Sequence, residues 1–302
     1  MDINKILMIG DLIVDTDIIL EKKKIIGNEQ DLIYSLKNVS IQFGGIGRII
    51  NSLISYYNYD SFDLLTIVEK NENIKRILNR KLYYKLNKNN LIVSSKWFTP
   101  NKIRVYIDNT QEENFLMRFD REYSNLKSDY LLDRLKNIID KYGCVFICDY
   151  NKGVINNNLF ETILEAKKNY HFKLIVDTKI KRKYTSCDIL KMNLNEYIYN
   201  WDSSFNKNNI NEMYNSMKKT MKKYDINTLI ITSDANGLYY ADNNNFKHIP
   251  TIKGNKPNYI GSGDYLMASF IYNYIVLNKP LEKSLEMSCM YATTYYEDIY
   301  GK

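Results

Sequence analysis

Short apolar runs alternate with longer amphipathic stretches along most of the chain. The runs have the length of buried strands, and the stretches repeat apolar positions every three or four residues, as helices do. The predicted strands are 5–10, 62–68, 144–148, 172–177, 188–193 and 227–232, and the predicted helices lie near 46–57, 128–141, 157–169 and 207–224. This alternation predicts an α/β fold with a mainly parallel central sheet flanked by helices. After Asp264 the pattern is helical to the end, with a break near Pro280.

Two segments depart from this pattern. Residues 13–43 and 102–122 alternate like strands with no helix between them, and "NTQEEN" at 109–114 is typical of a hairpin turn. Such insertions predict a small separate β-sheet that serves as a lid over the strand ends. We therefore expect one domain, 1–302, that includes this lid. Because the exposed lid strands would leave an apolar face, we also expect a homodimer joined through the lids.

Composition narrows the class of partner. The chain is 45% hydrophobic and 25% charged, as in soluble globular proteins, and its net charge of +7 suggests an affinity for anions. No aromatic–basic interleaving or Walker-type string is present, so we expect no nucleic-acid partner. No signal peptide is recognisable, and no apolar segment reaches the roughly 20 residues of a membrane span. The four cysteines form no CxxC pair, which favours buried thiols and a cytoplasmic location.

Polar residues follow several predicted strands, where ligands bind in an open parallel sheet. They are Asp11, Asp15, Asp149, Asp177, Lys179, Asn193, Glu196, Thr232 and the string "GSGD" at 261–264. Each alone also fits a turn or a helix cap, but their convergence on one edge predicts a binding site. With only His171 and His248 in the chain, any catalysis should rest on carboxylates, lysines, arginines and backbone amides.

The string "GSGD" permits two interpretations. Gly261 and Gly263 allow close backbone approach to an anion, the start of a helix directs N–H groups at it, and Asp264 could act as a base. Alternatively, the string is only a turn, and Asp264 caps the helix.

In this order the motifs resemble the ribokinase-like (PfkB) carbohydrate kinases, and they are most similar to the D-glycero-D-manno-heptose 7-phosphate kinases. "GDLIVD" (10–15), "FGGIGRIIN" (43–51), "KMNLNEY" (191–197) and "GSGD" resemble motifs of the whole family. The heptose-kinase strings Lys-x-Arg-Val, Arg-x-Asp-x-Glu, Asp-Tyr-x-Lys-Gly and Asp-Pro-Lys are matched or approached at 102–105, 118–122, 149–153 and 177–179. The resemblance covers nearly the whole chain and concerns the kinase part of proteins that are often fused to an adenylyltransferase domain.

The resemblance implies an ATP-dependent kinase that phosphorylates a heptose 7-phosphate at its anomeric hydroxyl. It implies that Asp264 is the general base, and that the amides of Gly261, Ser262 and Gly263 stabilise the transferring phosphoryl group. Asn193 and Glu196 would hold Mg²⁺ through water, Thr232 and Gly237 would lie along ATP, and the family also allows a monovalent cation (K⁺). The expected substrate-binding residues are Asp11, Asp15, Gly44, Gly45, Arg48, Arg104, Arg118, Lys152 and Lys179, with Arg104 or Lys179 meeting the sugar phosphate.

Four residues depart from the family pattern. Arg48 stands where the family usually has Asn, Asp234 replaces a glycine near the phosphates, and Asn258 and Ile260 replace Asp and Thr ahead of the signature. These departures leave two alternatives open: a kinase of another sugar, or a binding protein that kept the fold and lost activity. Retention of Asp264 with Asn193 and Glu196 favours an enzyme.

Overall fold

The computed structural model describes residues 2–22, 33–72, 74–75, 90–109, 112–122, 130–180, 184–206, 209–251 and 261–300. Its strands are β1 (Asp2–Gly10), β2 (Leu12–Lys22), β3 (Tyr34–Gly45), β4 (Phe62–Glu69), β5 (Leu91–Ser94), β6 (Asn101–Asn109), β7 (Glu112–Arg121), β8 (Tyr142–Asp149), β9 (Lys173–Thr178), β10 (Ile189–Asn193), β11 (Thr228–Thr232), β12 (Leu238–Ala241) and β13 (Phe246–Ile249). Its α-helices are α1 (Ile46–Ser55), α2 (Tyr130–Lys136), α3 (Asn157–Tyr170), α4 (Leu194–Asn200), α5 (Ile210–Tyr224), α6 (Ser262–Phe270) and α7 (Leu281–Tyr300).

The central sheet has nine strands in the order β13-β12-β11-β10-β9-β8-β1-β4-β5. The strands from β5 to β11 in this order run parallel, whereas β12 and β13 continue the sheet antiparallel. The predicted α/β fold with a mainly parallel sheet is therefore confirmed. The helical pattern after Asp264 is also observed, with a π-helical turn at Ile271–Val276 before the break at Pro280.

The core lies on both faces of this sheet, which explains why its strands are continuous apolar runs. Alternate residues of β1 point to opposite sides, so that Ile6 and Met8 join one buried cluster and Leu7 and Ile9 join the other. The first cluster includes residues of α1, α6 and α7, and the second includes residues of α2, α3 and α5. All four cysteines are buried free thiols, as expected.

A second sheet, in the order β3-β2-β6-β7, forms the predicted lid. Strands β2 and β6 pair in parallel, and each pairs antiparallel with its outer neighbour. The predicted hairpin joins β6 to β7, although positions 110 and 111 of its turn lie outside the described residues. No helix within the described residues is long and apolar enough to cross a membrane.

The two faces of the lid differ in polarity because side chains alternate along each strand. Asp17, Arg104 and Arg118 are directly paired neighbours on one face. The other face carries an apolar patch of exposed side chains: Leu36, Val39, Met117 and Phe119. The expected apolar lid surface is thus present, while the homodimer itself stays a prediction.

Candidate active site

A cleft of about 310 Å³ lies between the carboxyl edge of the central sheet and the lid. Twelve of the predicted catalytic and binding residues line it: Asp15, Gly45, Arg48, Arg104, Arg118, Lys179, Asn193, Thr232, Gly261, Ser262, Gly263 and Asp264. The lid and the strand ends thus place these residues around one space, although they are scattered along the chain.

The "GSGD" string forms the turn into α6. Gly261 has φ +86°, a conformation that side chains disfavour, and it stands at the N-cap position without a side-chain hydrogen bond to the helix. The backbone N–H groups of Asp264 and Tyr265 both donate to the Gly261 carbonyl. The side chain of Asp264 bonds elsewhere, so the interpretation of this residue as a helix cap is not supported. The uncapped helix start lines the cleft and is suited to an anion.

Asp264 is a buried carboxylate, only 5% exposed, at the floor of the cleft. Its Oδ1 accepts a hydrogen bond from the Tyr150 hydroxyl, and its Oδ2 lies 3.8 Å from Arg48 Nε. Burial raises the pKa of Asp264 above its ordinary value, and Arg48, the Tyr150 hydroxyl and Lys179 oppose this rise. A poorly hydrated carboxylate beside an anion-binding turn is suited to accept a proton from a hydroxyl.

Asp15 lies beside Asp264 on the lid side of the cleft. It accepts hydrogen bonds from Arg48 Nη2 at 2.7 Å and from Arg104 Nη2 at 3.0 Å, and Arg104 Nη1 also lies 3.3 Å from Asp17. A β-carbon at Gly44 would lie 2.0 Å from Asp15 Oδ2. Gly44 is therefore needed for the carboxylate to take this position, and it acts through Asp15.

Asp11, predicted to bind the sugar, is not among the described residues that line the cleft. Its side chain is fully buried and accepts the backbone N–H groups of Tyr150 at 2.8 Å, Lys152 at 3.0 Å and Val154 at 3.1 Å. Burial, with a smaller contribution from Asp149, raises the pKa of Asp11 to about 7. The position of Asp11 supports a role in holding the loop that carries Tyr150.

Most cations near the cleft already have carboxylate partners. Lys152 pairs with Glu122 at 2.6 Å and does not line the cleft, Lys179 pairs with Glu196 at 3.2 Å, and Arg118 pairs with Asp120. Lys102 lines the cleft, and no carboxylate among the described residues lies within ion-pair distance of it. Its Nζ lies 5.3 Å from the centre of the Tyr150 ring, and burial lowers its pKa.

Sequence reasoning also missed Lys191 as a site residue. Lys191 is 1% exposed, pairs with Asp177 at 3.0 Å, and would lie 3.2 Å from a β-carbon at Gly263. The charged pair therefore lies against the 261–263 turn. A signal was present in the sequence, because a lysine inside the apolar strand "ILKMN" is rarely buried without a partner.

A second cavity, of about 630 Å³, shares Asn193 and Asp234 with the cleft. Its other lining residues are largely apolar or amide side chains: Leu194, Asn195, Ile210, Met213, Ser233, Ala235, Asn236 and Tyr239. A cavity of this size and polarity can hold a nucleoside.

Three of the four residues that depart from the family pattern lie in this part of the chain. Asp234 has φ +41°, an unusual conformation for a residue with a side chain, whereas Asn258 and Ile260 lie outside the described residues.

Gly237 lines neither cavity. It closes the turn before β12 with φ +89°, and a β-carbon there would lie 2.1 Å from the Ile249 carbonyl oxygen. A glycine is therefore required at 237, because the turn before β12 passes close to the end of β13. This turn lies next to Asp234 and Asn236, which line the second cavity.

Asn193 and Glu196 form a capping box at the start of α4. Asn193 Oδ1 accepts from the Glu196 N–H at 2.7 Å, and Glu196 Oε2 accepts from the Asn193 N–H at 2.7 Å. Within the described part of the chain, no three His, Cys, Asp or Glu side chains cluster as direct metal ligands. The oxygens of Asn193 and Glu196, already hydrogen-bonded, fit a Mg²⁺ ion held through its own water ligands.

Comparisons with known proteins identify the family of the chain. The model of the pfkB family of carbohydrate kinases matches residues 4–297. The bifunctional protein HldE of Helicobacter acinonychis (strain Sheeba) is 26% identical over 309 residues, covering 99% of this chain and 63% of that protein. HldE of Aliarcobacter butzleri (strain RM4018) is 24% identical over 269 residues, covering 88% and 56% respectively. The chain thus spans less than two thirds of the length of these curated relatives.

Solved structures share the fold. Phosphofructokinase-2 from Escherichia coli, in complex with fructose-6-phosphate, superposes with a TM-score of 0.71 at 14% identity, covering 96% of this chain and 92% of that one. Arabidopsis thaliana ribokinase, complexed with ribose and ATP, gives a TM-score of 0.71 at 14% identity, covering 96% and 91%. The ribokinase-like architecture and the family match over 4–297 show that this chain belongs to the pfkB family of carbohydrate kinases, phosphotransferases that use ATP with a divalent metal ion to phosphorylate a sugar hydroxyl.

Proposed function

We propose that this kinase transfers the γ-phosphoryl group of ATP to a heptose 7-phosphate at its anomeric hydroxyl. The observation that carries the proposal is the placement of Asp264 between the anion-binding turn at 261–263 and a cleft lined by basic side chains. The heptose-kinase strings at 102–105, 118–122 and 149–153, together with the similarity to the HldE proteins at 24–26% identity, support a heptose phosphate. The whole activity of those longer proteins is not assigned to this chain.

In the proposed reaction, Asp264 accepts the proton of the attacking hydroxyl. One of its oxygens already accepts a hydrogen bond from the Tyr150 hydroxyl. The hydroxyl of the sugar would donate to the same carboxylate in the same way. The backbone N–H groups of the 261–263 turn stabilise the charge on the transferring phosphoryl group. Asn193 and Glu196 would hold Mg²⁺ through its water ligands, and the bound ion would supply positive charge to the phosphate oxygens.

The nucleotide has a matching cavity. We place the adenosine of ATP in the cavity of about 630 Å³, with the phosphates passing Thr232 and Asp234 toward the 261–263 turn. The carboxylate of Asp234 would repel bare phosphates. We therefore infer that ATP binds as its magnesium complex, and a K⁺ ion near the phosphates would act in the same direction.

The acceptor phosphate has a better candidate ligand than Arg104 or Lys179. Arg104 is already neutralised by Asp15 and Asp17, and Lys179 by Glu196. Lys102 lines the same cleft, is partly desolvated, and lies over the Tyr150 ring whose hydroxyl contacts the base. We assign the sugar phosphate to Lys102, with Arg118 beside it on the lid. Arg48, Asp15 and Gly45 then face the sugar.

We propose that the enzyme works in the cytoplasm as a homodimer joined through the lids, with no nucleic-acid partner. The exposed apolar patch formed by Leu36, Val39, Met117 and Phe119 supports the dimer, because burial of such a patch is favourable.

A panel of acceptors tests the function directly. Purified protein is given ATP, Mg²⁺ and either D-glycero-D-manno-heptose 7-phosphate, fructose 6-phosphate, ribose or the unphosphorylated heptose, and ³¹P NMR locates the new phosphate. The expected product is the heptose 1,7-bisphosphate, and Asp264→Asn is the inactive control. Preference for another acceptor supports a kinase of another sugar. Binding of ATP and heptose 7-phosphate without turnover supports the binding-protein alternative.

A further inference from the structure

Arg48, on α1, connects the acceptor side of the cleft with the base. Its Nη2 donates to Asp15 Oδ2 at 2.7 Å, and its Nε lies 3.8 Å from Asp264 Oδ2. The guanidinium carbon also lies 5.9 Å from the centre of the Tyr265 ring. Because the side chain is only 5% exposed, its attraction to both carboxylates is weakly screened by water.

Gly261, in the turn before α6, leaves room for this arginine. A β-carbon at position 261 would lie 1.9 Å from Arg48 Nη1, so a larger residue there would displace the guanidinium. The family usually has asparagine at position 48, which is neutral and too short to contact both Asp15 and Asp264. Arg48 therefore places a positive charge beside Asp264, where an asparagine would be neutral.

Groups from several elements face Asp264 and set its charge. Arg48 approaches from α1, Tyr150 from the loop after β8, and Lys179 from the segment after β9, and all three favour the ionised carboxylate. Asp177 of β9 opposes ionisation, and the buried Cys148 thiol of β8 also lies nearby. Burial is the largest influence and disfavours the charge, and among the groups that counter it Arg48 is the strongest.

We propose that Arg48 is a positioning residue for phosphoryl transfer, which keeps the Asp264 carboxylate ionised and fixes its orientation through a shared ion pair with Asp15. The role of Asp264 as a general base rests on the proposed function, whereas the contacts of Arg48 with Asp15 and Asp264 do not. Arg48 acts through Asp264 and not as a ligand of the transferred phosphoryl group. Arg48 thus lowers the pH above which the Asp264 carboxyl is ionised.

The test is a titration of Asp264 itself. Protein labelled with ¹³C at the aspartate carboxyl carbons is titrated by NMR, and the Asp264 resonance is assigned as the one lost in Asp264→Asn. In Arg48→Asn and Arg48→Gln, which remove the charge, we expect the pKa of Asp264 to rise by about 1–3 units. Arg48→Lys keeps a charge and should raise it less. The matched control Arg118→Gln removes another cation of the cleft, paired with Asp120, and should leave the pKa of Asp264 unchanged.

The pH dependence of kcat should change in the same variants as the pKa of Asp264. The acid limb of the kcat profile should move to higher pH in Arg48→Asn, whereas a merely structural role would lower activity without moving this limb. Two neutral variants are used so that misfolding of one does not end the test. An unchanged Asp264 pKa in a folded neutral variant, equal rises in Arg48→Lys and Arg48→Gln, or an equal rise in Arg118→Gln overturns the proposal. Failure of the wild type to phosphorylate any sugar contradicts the proposed function alone, because the titration needs no turnover.

Discussion

At the scale of single residues, the site depends on which buried charges are paired before substrates arrive. Arg104, Lys179 and Lys191 each lie within ion-pair distance of a carboxylate, so they keep the cleft electrically balanced. Lys102 has no such partner among the described residues. In the proposed reaction Lys102 binds the sugar phosphate, and Asp264, which lies 3.8 Å from Arg48 Nε, accepts a proton. These two residues give the sharpest tests of the proposed reaction.

Asp264→Asn should lower kcat by about 10²–10⁴-fold, because the amide keeps the shape of the side chain but cannot accept a proton. ATP affinity should be retained, since the backbone amides of the 261–263 turn are unchanged and one negative charge near the phosphates is lost. The melting temperature should stay near that of the wild type, because the variant no longer buries a charged carboxylate. Steady-state kinetics, calorimetry with ATP and thermal melting measure the three quantities. Wild-type turnover in this variant would refute the mechanism.

Lys102→Met should raise KM for the phosphosugar by about 10- to 100-fold, the worth of one charged hydrogen bond, with little change in KM for ATP. Arg104→Met is the matched comparison on the same strand. It leaves Asp15 and Asp17 facing each other without their shared cation, so we expect a lower melting temperature and a loss of activity with both substrates. If Arg104→Met selectively raised KM for the phosphosugar while Lys102→Met did not, the phosphate would belong to Arg104.

At the scale of secondary-structure elements, the two side chains that cap the start of α4, Asn193 and Glu196, are also the ones proposed to hold the metal ion. Asn193→Ser keeps an N-cap of similar strength but removes the amide oxygen that would face the waters of Mg²⁺. We expect a nearly unchanged melting temperature and a higher Mg²⁺ concentration for half-maximal activity. Glu196→Gln, which can still complete the capping box, should behave in the same way. Unchanged Mg²⁺ dependence in both variants would restrict Asn193 and Glu196 to capping.

The loop after β8 is held by Asp11, whose pKa of about 7 lies above its ordinary value of 3.8. Between these values the native protein binds a proton that the unfolded chain has released, so the contribution of Asp11 to the free energy of unfolding falls as pH rises through this window. Urea denaturation at pH 4.5 and 8 should therefore show a loss of wild-type stability relative to Asp11→Asn, which cannot titrate there. Parallel pH dependence in the two proteins would contradict the assignment.

The sequence predicted elements and motifs better than it predicted side-chain directions. The six buried strands and the lid were predictable because a strand covered on both faces is continuously apolar and a strand covered on one face alternates. The strands β5, β12 and β13 were missed because each has only four residues, too few to establish a pattern. Asp11 follows a strand, as ligand-binding residues often do, yet the backbone N–H groups that it accepts lie 139–143 residues further along the chain. No local pattern specifies such a contact.

At the scale of the whole molecule, the exposed lid patch predicts a homodimer. Leu36 is 63% exposed and Phe119 54% exposed on the same sheet, and shielding this surface from water is favourable. We expect the wild type to sediment as a dimer at micromolar concentration and Phe119→Glu to sediment as a monomer, because a buried unpaired charge is costly. Leu277→Glu is the matched control, since Leu277 is 44% exposed but lies outside the lid, and it should remain dimeric. A monomeric wild type would remove the dimer from the proposal, and dissociation of both variants would place the interface beyond the lid.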